Sequence, residues 1–287
     1  MQGGIHPGYT GETYLGIVRA ARRAAPRIHV HAFTPLEVSH GAATLGLTVG
    51  DFLRELMAAG LGSLPGTAAE ILDDQVRLRI CPDKVTTGEW LAVMAGAHEL
   101  GLRSTATIMF GHLYEPRHWA RHLTLIRRLQ ETTRGFTEFI PLPFVHMHSP
   151  VYLKGRARKG PTSREAVLMH AAARLALNAV IPNIQVSWVK MGAAGAGACL
   201  ASGANDLGGT LMNESISRAA GTQHGQELPP AAMEALIRSA GRIPAQRTTL
   251  YGTPAAAQSE QSYHAAPLMP LESFPVARRA LRGIRAA

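Results

Sequence analysis

Two hydrophobic periodicities alternate along the chain. Runs with apolar residues three and four positions apart predict helices, and shorter runs that alternate apolar with polar residues predict strands. The predicted helices cover residues 11–25, 51–59, 68–72, 86–100, 116–133, 162–179, 192–202 and 229–240. The predicted strands cover residues 29–33, 60–64, 104–110, 136–144, 183–191, 204–207 and 247–251. This alternation is typical of an α/β protein with a mostly parallel sheet.

The number of strands favours a TIM-like (β/α) barrel over a doubly wound sheet. About seven βα units can be counted where a complete barrel has eight, and the absent unit is the first. We therefore expect residues 1–252 to form a partial barrel, and we expect the chain to be an N-terminally truncated piece of a longer protein. Residues 253–287 are rich in Ala, Pro, Gln, Ser and Arg, which predicts a peripheral or poorly ordered C-terminal extension.

Polar residues gather where the predicted strands end. The stretch 29–40 begins as a strand, and we expect it to break into a loop at Pro35. Active sites of α/β barrels form at the carboxyl ends of the strands, so the other strand ends should converge on this one. One hypothesis for the histidines at these strand ends is a divalent metal site completed by a carboxylate, and the other is hydrogen bonding to substrate or neighbours. The residues concerned are His29, His31, His40, His112, His146, His148 and Glu37.

Two further positions allow both a structural and a chemical interpretation. Glu70 is the third residue after Thr67, so it either completes a capping box on a helix over 68–72 or has a chemical role. Asn205 and Asp206 precede a Gly-Gly pair, which suits either an Asx turn or ligand binding.

Charge and cysteine content narrow the classes of partner. The 29 Lys and Arg residues exceed the 20 Asp and Glu residues, for a net charge of +9, but the basic residues are scattered and are not interleaved with aromatics, so we expect no nucleic-acid partner. Two cysteines are too few for a disulfide framework or a cysteine-ligated cluster, which fits a reducing cytoplasm. Since no apolar run reaches about 20 residues, we expect no membrane span.

The chain resembles a known enzyme family at several separate segments. The matching segments, all within residues 1–252, are 2–7, 29–38, 64–72 (with Pro-Gly-Thr-Ala-Ala-Glu), 108–112, 138–146, 185–192, 203–213 and 242–251. In this order they resemble the radical S-adenosylmethionine (SAM) enzymes of the deazaflavin and menaquinone group. Within that group they are most similar to the hydroxyphenyl transferases of deazaflavin-coenzyme (F-420) biosynthesis, which form the second half or second subunit of FO synthase.

The resemblance implies a reaction and its cofactors. In this family a reduced [4Fe-4S] cluster cleaves SAM to a 5′-deoxyadenosyl radical, which abstracts hydrogen from L-tyrosine. The 4-hydroxybenzyl part is then transferred to 5-amino-6-(D-ribitylamino)uracil, and a partner radical SAM domain or subunit closes the deazaflavin ring. An electron donor is also implied. The alternatives are a sister enzyme of menaquinone (futalosine) biosynthesis, a metal-dependent barrel hydrolase or lyase, and a non-catalytic binding remnant.

The resemblance also implies residue roles without identifying a catalytic base. The positions similar to the SAM-binding segments of the family are Gln2, Gly3, Gly4, Glu70 and Met109. The positions at strand ends where the two substrates would bind are His31, Thr34, Glu37, Gln185, Ser187, Asn205 and Asp206. Family members carry a Cys-x3-Cys-x2-Cys loop after the first strand, and residues 1–287 contain no such triplet. We therefore expect the cluster cysteines upstream of Met1, no metal ligands in this chain, and no radical chemistry from this chain alone.

Overall fold

A computed structural model of the chain describes residues 1–2, 5–6, 8–113, 115–211 and 214–266. The elements alternate as an α/β protein: α1 (Gly11–Ala24), α2 (Pro35–Leu45), α3 (Val49–Ala59), β1 (Ser63–Leu64), α4 (Asp74–Ile80), α5 (Thr87–Glu99), β2 (Arg103–Phe110), α6 (Pro116–Thr133), β3 (Phe136–Pro143), α7 (Pro150–Leu153), α8 (Ser163–Leu177), α9 (Trp188–Ala201), α10 (Ile216–Ala220), α11 (Pro230–Ser239) and α12 (Ala256–Tyr263). The expected α/β class is confirmed.

The sheet has three parallel strands in the order β1-β2-β3. Single parallel bridges extend it on both sides: His31 pairs with Ser63, Ile184 with Phe139, and Gln185 with Asp206. Because every pairing is parallel and follows chain order, all these segments run in the same direction. Their carboxyl ends therefore lie next to one another, at the same end of the strands. The expected placement of these strand ends beside one another is confirmed, whereas their convergence at a barrel mouth stays a prediction.

Met1 lies beside the first of these segments. Its backbone nitrogen donates to His31 O (2.5 Å) and its carbonyl accepts from Phe33 N (3.0 Å), which is the bonding pattern of a parallel neighbour. The described residues thus provide a parallel series at Met1, His31, β1, β2, β3, Gln185 and Asp206. Pairing between the two ends of this series, which would close a barrel, is not found among the described residues.

The helices that the hydrophobic spacing predicts are confirmed where a local cap supports them. Thr48, Thr86 and Thr162 each accept a hydrogen bond from the backbone three residues later at the start of α3, α5 and α8. These helices and α6 match the predicted ones to within two residues at most ends.

The helices cover one face of the sheet with apolar side chains. Ala106, Ile108, Phe110 and Phe139 pack in one cluster with residues of α5, α6 and α8. A second cluster joins α1, α2 and α3 to Leu64 of β1 and to Val30 and Ala32 in the neighbouring segment. We call this covered face the outer face and the opposite face the inner face; side chains alternate between them along each strand.

Four predicted elements are wrong. Pro35 does not open a loop: it is the first residue of α2. At this position a backbone N–H would have no partner within the helix, so a proline is tolerated. Residues 68–72 are not helical, and the helix starts at Asp74 because the Asp73 side chain caps it. The strand expected over 183–191 ends early, since α9 begins at Trp188. Residues 247–251 form a turn, in which Tyr251 N donates to Thr248 O (3.1 Å).

The C-terminal extension is described in part. Helix α12 lies within it, and residues 267–287 lie outside the described residues. The proposed boundary at residue 252 stays a prediction. Among the described residues, every helix is too short or too polar to cross a bilayer.

Candidate functional site

A polar network centred on the buried Glu138 occupies the inner face. Glu138 on β3 accepts from Gln185 Nε2 (2.7 Å) and from the Tyr251 hydroxyl (2.7 Å), both at Oε2. Arg247 reaches the same oxygen (3.4 Å) and pairs with both carboxylate oxygens of Asp206. The network therefore joins the 247–251 turn to three strand segments. These segments come from separate parts of the chain.

The protonation of the network follows from its burial and pairing. Burial raises the pKa of Glu138, and the opposing effects of Arg247 and Tyr251 do not cancel that rise. Burial acts to lower the pKa of Arg247, but its hydrogen bonds and charge pairing with Asp206 outweigh burial, so its pKa is raised. Burial, followed by the charge of Glu138, raises the pKa of Tyr251. Arg247 is thus a fixed cation and Tyr251 a fixed hydrogen-bond donor at neutral pH.

His31 belongs to the same face. Its Nδ1 lies 2.7 Å from the hydroxyl of Ser63, its neighbour across the sheet. Burial lowers the pKa of His31 to about 4, and the amino group of Met1, His29 and Arg247 contribute in the same direction. His31 is therefore a neutral imidazole that can both donate and accept hydrogen bonds.

A second group of predicted residues lies at the Glu70 loop. The carbonyl of Glu70 accepts from the backbone N–H of Met109 (2.7 Å), so the structure brings these two predicted SAM-binding positions together. The Glu70 carboxylate pairs with Lys84 and caps no helix, so the capping-box interpretation is wrong. Ala68 and Glu70 have φ values of 62° and 45°, a left-handed backbone that non-glycine residues adopt mainly where the surroundings impose it.

Arg77 is hydrogen-bonded to the backbone of this loop. It is 3% exposed and donates to the carbonyls of Ala68 (3.2 Å), Ile71 (3.4 Å) and Ala69, and through Nε to Val85 (3.0 Å). The described residues include no carboxylate in an ion pair with Arg77. This guanidinium therefore fixes the loop from which Glu70 projects.

Other predicted site residues have backbone roles. Thr34 and Glu37 cap α2: Glu37 N donates to the Thr34 hydroxyl (3.2 Å), and Thr34 N donates to the Glu37 carboxylate (2.7 Å). Ser187 is the residue before α9. Asn205 is exposed and accepts from Ile184 N and from Arg174 (2.8 Å each), away from the network.

The remaining predicted positions are Asp206, Gln2, Gly3 and Gly4. Gly208 N donates to Asp206 Oδ1 (2.6 Å), so Asp206 forms an Asx turn and also pairs with Arg247. Gln2 is exposed. Gly3 and Gly4 lie outside the described residues.

An open cleft lies beside the carboxyl end of β3. Its volume is about 640 Å³ and its lining includes His146, Lys159, Lys190 and His224. Lys190 donates to the Ser217 hydroxyl (2.9 Å). Burial lowers its pKa against the opposing charges of Glu214 and Glu70. A basic lining of this kind suits a ligand that carries an anionic group.

Sequence reasoning missed Glu138, Arg247 and Tyr251 as site residues, although each lies in a segment that carries the family resemblance. One signal was available: Glu138 is the one charged residue in a strand that is apolar apart from it and Thr137. A carboxylate at such a position faces either solvent or a polar interior, and the rest of β3 is largely buried.

The metal hypothesis finds no support in the described part of the chain, which includes no group of three or more His, Cys, Asp or Glu side chains able to hold a metal ion. Cys81 and Cys199 are both buried free thiols. Burial raises the pKa of Cys81, and it raises that of Cys199 to about 11. The residues present therefore do not fit a [4Fe-4S] cluster, which requires cysteine thiolates.

The fold and this polar face are those of an α/β protein whose parallel strands present buried hydrogen-bonding groups on the face away from the helices. A family model described as the CofH/MqnC C-terminal region matches residues 133–259. The 5-amino-6-(D-ribitylamino)uracil–L-tyrosine 4-hydroxyphenyl transferase of Methanopyrus kandleri is 51% identical over 251 residues, which are 88% of this chain and 68% of that protein.

Two further relatives show a similar level of identity. The transferase of the same name from Methanothermobacter thermautotrophicus is 49% identical, with the same coverage. The FO synthase of Streptomyces avermitilis is 52% identical over 252 residues, or 88% of this chain and 29% of that protein. The chain thus belongs to the family of these hydroxyphenyl transferases and FO synthases, and it spans about two thirds of the former and under a third of the latter.

Proposed function

We propose that this chain forms most of the catalytic barrel of a radical SAM hydroxyphenyl transferase. The enzyme would move the 4-hydroxybenzyl part of L-tyrosine to 5-amino-6-(D-ribitylamino)uracil in deazaflavin synthesis. The observation that carries the proposal is the identity of about 50% to two transferases named for these substrates. The parallel series from Met1 to Asp206, in chain order, supports an incomplete (β/α) barrel.

We assign SAM to the loop of Glu70 and to the segments of Gln2, Gly3, Gly4 and Met109. The Glu70 carboxylate suits the ribose hydroxyls because it accepts hydrogen bonds, and its loop is joined to Met109 and fixed by Arg77. SAM supplies the hydrogen-abstracting radical when it is bound and reduced. The side chains of this chain position it and exclude water around it.

The iron-sulfur cluster would be held by cysteines outside residues 1–287, because the two buried thiols here do not fit it. The activity accordingly belongs to a holoenzyme that includes those cysteines. Its electron donor and the radical SAM partner that closes the deazaflavin ring are further proposed partners.

We assign the substrates to His31, Thr34, Glu37, Gln185, Ser187, Asn205 and Asp206. The best-supported members are His31, Gln185 and Asp206, which share the inner face with Glu138. Buried donors and acceptors of this kind discriminate strongly against analogues that leave them unpaired. The basic cleft with Lys190 suits the carboxylate of an amino acid.

The test is an anaerobic assay of the holoenzyme with L-tyrosine, SAM and 5-amino-6-(D-ribitylamino)uracil, with the adduct detected by mass spectrometry. We expect adduct with L-tyrosine and none with L-phenylalanine. The Glu70→Gln variant should bind SAM at least about tenfold more weakly, a change of about 1.4 kcal/mol. Exposed Glu99, replaced in Glu99→Gln, is the matched control. A holoenzyme that cleaves SAM but makes no adduct would refute the proposal.

A further inference from the structure

Three side chains form a hydrogen-bonded chain at the start of the parallel series. The Ser63 hydroxyl lies 2.7 Å from His31 Nδ1 and 2.7 Å from His29 Nε2. A hydroxyl has a single proton, so it donates to one imidazole and accepts from the other. The two histidines are therefore linked through one shared hydroxyl.

The chain runs from the inner face to solvent. Val30 and Ala32 pack on the outer face under the helices, so the alternation of the strand places His29 and His31 on the inner face. His31 is partly buried and feels the charge of Arg247, whereas His29 is exposed. Ser63 is 2% exposed, so solvent water does not compete with its hydroxyl for the two rings.

Gly62 makes room for this arrangement. A Cβ atom at Gly62 would lie 2.5 to 3.1 Å from three atoms of the His29 ring. These distances are shorter than a van der Waals contact, so any other residue at position 62 would push the ring away from Ser63. The position of the His29 ring thus depends on a glycine in the neighbouring segment.

Burial and the surrounding charges keep the imidazole of His31 neutral. Burial lowers its pKa most, and the amino group of Met1, His29 and Arg247 lower it further. A neutral imidazole can accept a proton at one nitrogen as it releases a proton from the other. The network carboxylates Glu138 and Asp206 are paired with Arg247.

We propose that His31, Ser63 and His29 form a proton relay between the substrate-facing interior and bulk solvent. A substrate N–H or O–H gives its proton to His31 Nε2, and His31 Nδ1–H passes its proton to Ser63 Oγ. The Ser63 O–H then gives its proton to His29 Nε2, and His29 releases Nδ1–H to water. One proton enters and one leaves, and no electrons move. That a substrate supplies the proton rests on the proposed function.

The first experiment uses this chain with ¹⁵N-labelled histidine and needs no turnover. Because Ser63 has one proton, NMR should show one of His31 Nδ1 and His29 Nε2 protonated and the other unprotonated. The Ser63→Ala variant should remove this complementarity, and Ser63→Thr should keep it. The same ring states in wild type and Ser63→Ala would overturn the relay.

The second experiment uses the holoenzyme. Ser63→Ala and His29→Gln should slow adduct formation at least about tenfold, within the range for loss of a positioned proton-transfer group. They should also change the pH profile and the solvent isotope effect, and Ser63→Thr should restore both. His29 is exposed, so His29→Gln tests the relay in a variant that is expected to fold. The control is Ser239→Ala, which replaces an exposed serine.

The two experiments separate the two proposals. Adduct formation by Ser63→Ala with unchanged rate, pH profile and isotope effect would refute the relay and leave the transferase assignment intact. A holoenzyme that makes no adduct, with complementary ring states by NMR, would refute the transferase assignment and support the relay.

Discussion

The hydroxyl of Tyr251 donates a 2.7 Å hydrogen bond to Glu138, which lies 113 residues earlier in the chain. Tyr251 has a φ of 63°, a left-handed conformation that is unfavourable for a bulky residue unless its surroundings hold it. The guanidinium of Arg247 lies 4.1 Å from the centre of the Tyr251 ring, and this cation–π contact helps to keep Tyr251 in that conformation. A single turn is therefore attached to the sheet by both its first and its last side chain.

Removal of the Tyr251 hydroxyl should destabilise the fold measurably. In Tyr251→Phe the buried Glu138 oxygen keeps Gln185 and Arg247 but loses one of its two 2.7 Å donors, so we expect a loss of about 1–2 kcal/mol in the free energy of unfolding. Urea denaturation measures it. Tyr263→Phe is the control, because Tyr263 donates to Glu234 at the surface. Equal stability losses in the two variants would contradict the role of the buried bond.

Loss of the Arg247 cation should have a larger effect. Asp206 and Glu138 are 9% and 7% exposed at their side chains, so Arg247→Met leaves two buried carboxylates without a cation. We expect a destabilisation of about 3–5 kcal/mol. The control is Arg238→Met, which breaks a pair whose arginine is 61% exposed and should cost about 1 kcal/mol or less. A double-mutant cycle with Asp206→Asn should show strong coupling to Arg247 only.

Arg77 should act on SAM affinity through the Glu70 loop. Arg77→Met leaves several loop carbonyls without a donor, so the loop should relax and SAM should bind at least about tenfold more weakly to the holoenzyme. Arg77→Lys should fall between, because an ammonium replaces some of the hydrogen bonds but not the planar fork. Exposed Arg79 lies on the same helix, and Arg79→Met is the matched control. Unchanged affinity in a folded Arg77→Met protein would count against the positioning role.

Stability should fall on mild acidification because buried histidines resist protonation. His98 bonds Thr133 and Ser104 through its two ring nitrogens, and burial lowers its pKa from 6.5 to about 4. The unfolded state therefore binds more protons between these values. The contribution of His98 is complete above pH 6.5, and up to about 3 kcal/mol is lost as the pH falls to 4.

The variant His98→Asn isolates this contribution. At pH 8 the difference in stability from wild type measures the packing and hydrogen bonds lost with the neutral ring, and below pH 6.5 that difference should shrink. Denaturation at a series of pH values provides the measurement. Parallel stability curves for the two proteins over pH 4–8 would contradict the assignment.

Two glycines should respond in opposite directions to alanine. A Cβ at Gly66 would lie 2.3 Å from the carbonyl oxygen of Thr105, so Gly66→Ala must push the segment after β1 away from β2 and should cost about 1–3 kcal/mol or more. A Cβ at Gly96 in α5 meets nothing within 4 Å. Gly96→Ala should therefore stabilise the helix by about 0.5–1 kcal/mol. Thermal unfolding of the two variants compares them directly.

The sequence alone determined most helices and the order of the parallel segments. The information is local in these cases: Thr86 and Glu89 form a capping box within one turn, and apolar periodicity selects the buried side of α1 and α3. The resemblance also singled out Glu70 and Met109 as SAM-binding positions; that role stays a prediction, and the structure joins the two by a backbone hydrogen bond. Where local signals were weak the predictions failed, as at Pro35, which starts a helix as readily as it ends a strand.

Only the tertiary structure decided which polar residues meet. The contact of Glu138 with Tyr251, and that of Asp206 with Arg247, depend on strand register and on the path of the 247–251 turn. No local periodicity encodes these. The same holds for Ser63 between two histidines, since alternation predicts the face of each side chain but not its neighbour across the sheet. Short-range sequence patterns fix local conformation, whereas the partners of buried polar groups follow from how distant segments pack.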